Sequence, residues 1–250
     1  MPKSVRPLIA GNWKMNGLGA SLAEALTLAE ALTEIPANAR VALCPPFTLI
    51  GRMATALKGS TVEIGAQDVH PQASGAYTGD IAAAMLADAG ATLVIVGHSE
   101  RRTMHGETDA DVAKKVEAAL ASGLEPIVCV GETLEERKSG KAEAIVCGQI
   151  EGSLPKVLEG RAFSVAYEPV WAIGTGLTPS NEEIVAMHAA IRAAIVDRVG
   201  ETGRKAAILY GGSVKPANAM EILALPEVGG ALVGGASLKA ADFLPIVRAI

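Results

Sequence analysis

The chain has 250 residues, of which 20% are charged and 50% hydrophobic, and a formal net charge of −5. That balance argues against a nucleic-acid partner, which calls for a basic patch or stripe, and no run of roughly 18 or more apolar residues is present to span a membrane. A chain of this length holds one large α/β domain or two small ones, and it can bury a core without a disulfide or metal staple.

In chain order, the first strand-like run is "PLIAGNW" (7–13). A helix follows, for which Ser21 and Glu24 have the spacing of a capping box, with Leu22, Leu26 and Ala29 on one face. Apolar runs then recur at 40–45 ("RVALCP"), 62–68 ("VEIGAQD") and 92–98 ("TLVIVGH"). The segment "SERR" after His98 reads as a helix start. Further runs lie at 126–132, 163–169, 206–212 and 230–235, and Ser180 with Glu183 repeats the capping signature ahead of Ile184, Met187, Ile191 and Ile195. Runs that are apolar throughout suit strands buried on both faces. Eight of them alternating with helices, with no linker between, favour a single α/β (β/α)8 TIM-barrel domain over 1–250. An open doubly wound sheet is the competing arrangement.

In such a barrel, chemistry gathers where the strands end. Asn12 and Lys14 close the first run, His98 the fourth and Glu168 the sixth. Gly211-Gly212-Ser213 and Gly234-Gly235 close the last two. Singly, each has a plainer reading: Lys14 as a solvated lysine, His98 as a helix cap, Glu168 as an ion-pair partner, Cys129 as a small buried hydrophobe. Their joint placement at strand ends carries the functional signal. The glycines after runs seven and eight suit a phosphate held by backbone N–H groups. Neither GxxxxGK[ST] nor GxGxxG occurs, so a small ligand's phosphate is expected rather than a nucleotide's. A desolvated carboxylate can take a proton from carbon. The resulting enediolate needs electrophilic partners, which Lys14, His98 and Asn12 supply, and a lid against water. The segment Pro169, Val170, Trp171, Ala172, Ile173, Gly174, Thr175 and Gly176 is the expected lid. Cys44, Cys129 and Cys147 form no disulfide framework and, with an N-terminus lacking a signal peptide's apolar core, suggest a cytoplasmic setting. The four histidines form no metal motif, so no metal is expected.

"GNWKMNG" (11–17), "GAYTGD" (75–80), "GHSERR" (97–102), "AYEPVWAIGTG" (166–176), "YGGSVKP" (210–216) and "VGGASL" (233–238) resemble motifs of the triosephosphate isomerase family, in the family's order and across nearly the whole chain. The resemblance implies interconversion of dihydroxyacetone phosphate and D-glyceraldehyde 3-phosphate, in glycolysis and gluconeogenesis, without metal or organic cofactor. Glu168 matches the catalytic base and His98 the electrophile, acting as a neutral imidazole. Lys14 and Asn12 match the substrate-activating pair. Gly174, Ser213, Gly234 and Gly235 match phosphate-binding positions, and 169–176 the mobile lid. It also implies a homodimer in which the loop 67–80 reaches the partner, Thr78 lying near that partner's Asn12 and Glu100, with Cys129 behind the site. Asp80 stands where a glutamate is more usual, and Cys44 before Pro45-Pro46 is unusual. Another phosphosugar barrel enzyme, such as an aldolase or epimerase, and a non-catalytic phosphometabolite-binding barrel are the alternatives the residues alone leave open.

Overall fold

The computed structural model describes residues 6–172 and 177–250. Its strands are β1 (Leu8–Asn12), β2 (Arg40–Cys44), β3 (Val62–Ala66), β4 (Leu93–Val96), β5 (Glu125–Val130), β6 (Ser164–Tyr167), β7 (Ala207–Tyr210) and β8 (Gly230–Val233). They pair in parallel, in sequence order, and β8 returns to β1 through Leu8↔Gly230 to Gly11↔Val233, closing the barrel. The helices outside it are α1 (Leu22–Glu34), α2 (Phe47–Ala56), α3 (Ala83–Asp88), α4 (Ser99–His105), α5 (Asp109–Ala121), α6 (Leu134–Lys138), α7 (Ala142–Ser153), α8 (Asn181–Val199), α9 (Pro216–Leu223) and α10 (Ala240–Val247).

Strands apolar on both faces are what this closure requires. Successive side chains alternate, so Ala10, Ala42, Cys44, Cys129 and Ala166 fill the barrel interior. Ile9, Val41, Leu43, Val128 and Val165 face the other way and pack with the helices. Larger inner residues such as Leu93, Ile95, Ile127 and Leu209 sit among these small ones, and together they fill the interior without leaving a pore.

The capping box expected at Ser180 forms as read, with Ser180 Oγ accepting from Glu183 N and Glu183 returning the bond. Ile184, Met187, Ile191 and Ile195 are buried. The one expected at Ser21 does not form. A 3₁₀ turn, Gly19–Ser21, runs directly into α1 and leaves Ser21 in helical backbone (φ −70°, ψ −11°). A capping serine needs extended backbone to reach the free N–H groups, so its Oγ instead accepts from Leu18 N at 3.1 Å. Glu24 accepts from Ala240 N and Lys239 Nζ, tying α1 to the start of α10. The buried stripe of α1 is Ala25, Leu28, Ala29 and Leu32. Leu26, expected on the inner face, is 39% exposed.

Candidate active site

Asn12, Lys14, His98, Glu168, Ser213, Gly234 and Gly235 all line one cavity of about 380 Å³. Because the strands are parallel and in order, their C-terminal ends lie together, and residues up to 223 positions apart share one wall.

Lys14 sits just beyond β1 with φ +53°, a left-handed conformation uncommon for a residue with a side chain. Neighbouring groups hold it there. Its N–H donates to Asn12 Oδ1 at 3.0 Å, and its carbonyl accepts from Gln67 Nε2 at 2.9 Å. Gln67 also donates to Cys44 O at 2.9 Å, linking the ends of β1, β2 and β3. The Lys14 ammonium pairs with Glu100 at 2.5 Å. Sequence reading missed Gln67, since nothing local marks an amide that acts across three strands.

Glu168 follows β6, and its N–H donates to Val130 O at 2.8 Å. The side chain is buried, and its carboxylate accepts from Ser99 N at 3.0 Å and Ser99 Oγ at 3.2 Å, with His98 Nε2 2.9 Å away. Two glycines make room for it. A Cβ at Gly131 would overlap the Glu168 carbonyl oxygen, and one at Gly211 would lie 2.9 Å from Glu168 Cγ. Burial pushes the carboxyl up, but His98, the Ser99 N–H and Lys14 outweigh it and hold Glu168 below the ordinary carboxylate range.

His98 is at once a cap and a site residue. Its Nδ1 accepts from Glu100 N at 3.2 Å as the N-cap of α4, which leaves Nε2 as the donor toward Glu168. Burial draws the imidazole toward neutrality. The Glu168 carboxylate pulls the other way and keeps its pKa above the ordinary value while that contact lasts. Cys129 lies in the barrel interior beside this pair, its thiol pushed well up by burial and by Glu168.

The loop after β7 is fixed by Asn218, which donates to Ser213 O at 3.0 Å and accepts from Lys215 N at 2.8 Å. After β8, Ser237 Oγ donates to Gly234 O at 2.7 Å, and Trp13 Nε1 donates to Ser237 O at 3.0 Å. These bonds set the glycine loops against Lys14.

Of the expected lid, Pro169 leads into a 3₁₀ turn, Val170–Ala172, in which Ala172 is buried. Trp171 Nε1 donates at 2.8 Å to Glu132, a fully buried carboxylate that also accepts from Tyr167 OH and Arg137 Nε. Ile173, Gly174, Thr175 and Gly176 lie outside the described residues. Thr78 is exposed on its loop, and within this chain it is not among the residues lining the cavity. Among the described residues, no group of three or more His, Cys, Asp or Glu side chains is placed to hold a metal ion.

A barrel serving only as scaffold has no use for a buried acid and imidazole opening onto a cavity at its C-terminal mouth; the fold and the site define a (β/α)8-barrel enzyme. The comparisons agree on which. The profile of one family, described as triosephosphate isomerase, matches residues 7–250. The triosephosphate isomerase of Caulobacter vibrioides is 64% identical, covering 98% of this chain and 97% of its own. That of Afipia carboxidovorans is 58% identical, covering 100% and 99%. A crystal structure of triosephosphate isomerase from Bartonella henselae superposes with a TM-score of 0.90 at 47% identity, covering 98% of this chain and 99% of that one. The chain belongs to the triosephosphate isomerase family.

Proposed function

We propose that the chain interconverts dihydroxyacetone phosphate and D-glyceraldehyde 3-phosphate, with Glu168 moving the proton between C1 and C2 through an enediolate. The observation that carries this reading is the buried Glu168 carboxylate, held at 2.9 Å by His98 Nε2 on the wall of a cavity that Lys14 and two glycine loops also line. To reach a substrate carbon the carboxylate leaves Ser99 and His98. Those are the larger of the influences that hold its pKa down, leaving Lys14 against burial, so its pKa rises and it becomes a stronger base at carbon.

The same movement acts on His98. Without the carboxylate beside Nε2, burial and Lys14 both favour the neutral ring. With Nδ1 held by Glu100 N, the Nε2–H turns to the developing oxyanion and passes protons between the two oxygens. Lys14 offsets charge on the substrate, with Asn12 beside it. Ser213, Gly234, Gly235 and Gly174 take the phosphate through hydroxyl and backbone N–H donors. Residues 169–176 form the lid that keeps water from the enediolate.

The same reading includes a homodimer. Met15, Leu18, Phe47, Tyr77, Met85 and Met104 are large apolar side chains left exposed, Met15 at 97% and Met104 at 75%. They follow β1, β2, β3 and β4 in turn, so they belong to four adjacent strand–helix units, which suits an interface on that side of the barrel. Thr78 on the loop 67–80 would then meet the partner subunit near its Asn12 and Glu100. The unpaired thiols Cys44, Cys129 and Cys147 support a reducing, cytoplasmic setting. The test is turnover of dihydroxyacetone phosphate to glyceraldehyde 3-phosphate, with and without chelator. Equal rates in both arms are expected, and no turnover in either would overturn the reading.

A further inference from the structure

Arg102 lies in α4, four residues beyond His98, and its side chain is only 15% exposed. Its guanidinium makes four bonds. Nε donates to Gly97 O at 2.9 Å, and Nη2 to Cys129 O at 3.3 Å and Ser153 Oγ at 2.9 Å. Nη1 donates to Asp109 Oδ1 at 2.6 Å, and Ser153 Oγ in turn donates to that same oxygen at 3.0 Å.

Two of these bonds fall where the sheet gives out. The β4–β5 ladder ends at Val96↔Val128. One residue further on, Gly97 takes a left-handed turn (φ +66°) that swings the chain out to His98. Gly97 O and Cys129 O are the carbonyls just past the last ladder pair, and one guanidinium accepts the role of joining them. A Cβ at Gly97 would lie 2.8 Å from Val112 Cγ2 and 3.2 Å from Arg102 Nη2, so a side chain there would crowd both. The carbonyl next along β5, Val130 O, receives the Glu168 N–H. Gly97 thus carries His98, and β5 anchors Glu168 at the end of β6 through Val130 O, so Arg102 ties the support of one to the support of the other. Ser153 and Asp109 aim the guanidinium from the far side.

We propose that Arg102 is a positioning residue for the reaction: it never touches substrate but sets the separation and angle between His98 and Glu168. Arginine is required because its rigid planar fork presents donors to two carbonyls and a hydroxyl at once, whereas an ammonium is a single point. The inference rests on the isomerase reading above, and one of its two readouts does not depend on activity.

The experiment compares Arg102→Met and Arg102→Lys with wild type, with rates taken per folded molecule. For Arg102→Met, kcat is expected to fall roughly 10- to 100-fold with KM within about twofold, the signature of reacting groups misaligned over an intact binding site. Arg102→Lys, which keeps one donor group, is expected to recover part of that loss. In parallel, 15N-histidine NMR reads the His98 ring directly. Its nitrogen resonances should move in both variants, while those of buried His188, on the other side of the barrel wall in α8, stay in place. Unchanged kcat with an unmoved His98 signal, or a loss confined to KM, would overturn the proposal. If Arg102→Met does not fold, Arg102→Lys carries both readouts. Failure of the isomerase reading itself would show as no turnover in wild type, and the NMR arm would still decide the positioning role.

Discussion

Gly211→Ala tests whether the exact seat of Glu168 limits the reaction. Gly211 does not have the left-handed backbone that only glycine accepts easily, so an alanine there brings a methyl group and little conformational strain. That Cβ would stand 2.9 Å from Glu168 Cγ and 3.0 Å from Tyr167 O. Tyr167 O is the less yielding neighbour, since it already accepts the Gly211 N–H at 2.7 Å across the β6–β7 boundary. The Glu168 side chain therefore gives way. Reaching an ordinary carbon–carbon separation of about 3.5 Å moves Cγ by about 0.6 Å. A misplacement of 1 Å costs about 100-fold, so this one costs on the order of tenfold in kcat, or about 1.4 kcal/mol of transition-state stabilisation. The assay is steady-state turnover in both directions, with inhibition by inorganic phosphate as the control for the binding loops and circular dichroism for the fold. Folded Gly211→Ala with kcat within twofold of wild type would refute the reasoning, as would a loss lying wholly in KM.

Stability should fall on acidification because of His188, buried in α8 with its pKa lowered to about 4, chiefly by burial. Between pH 4 and the ordinary 6.5 the unfolded chain holds this proton and the folded chain does not, so stability rises with pH through that window and is complete above it. Going from pH 7 to pH 5 should cost about 2 kcal/mol, and urea unfolding of His188→Gln at fixed protein concentration should show a correspondingly flatter slope. Met15→Asp combined with Tyr77→Asp should shift the sedimentation mass from twice 25.5 kDa to 25.5 kDa. An unchanged mass would move the interface away from the exposed apolar side of the barrel.

What could be read in advance divides along physical lines. The strands were legible because a strand buried on both faces must be apolar throughout, and the polar residue that ends such a run is the one delivered to the mouth: Asn12, His98 and Glu168 all stand in that position. The helix start at Ser180 was legible because its capping residues precede an apolar stripe at helical spacing. Ser21 and Glu24 have the same local pattern, but a 3₁₀ turn ahead of α1 and the approach of α10 engage both side chains elsewhere. Ser99 stood beside His98 at a strand end and Glu132 closed the fifth run, but their partners, like those of Gln67 and Arg102, were not legible. Each acts on residues from other strands, and only closure of the barrel brings those partners within reach. Gly211 carried a signal that pointed to phosphate alone, while a side chain there would press first on the Cγ of Glu168.

The most direct test of the central claim is Glu168→Gln. The amide keeps the shape and most of the contacts with Ser99 and His98 but cannot take a proton from carbon. Removing a general base of this kind costs roughly 10²- to 10⁴-fold. The account predicts a fall in kcat of at least that size, with inorganic phosphate binding nearly as in wild type. Turnover at the wild-type rate in Glu168→Gln would contradict it.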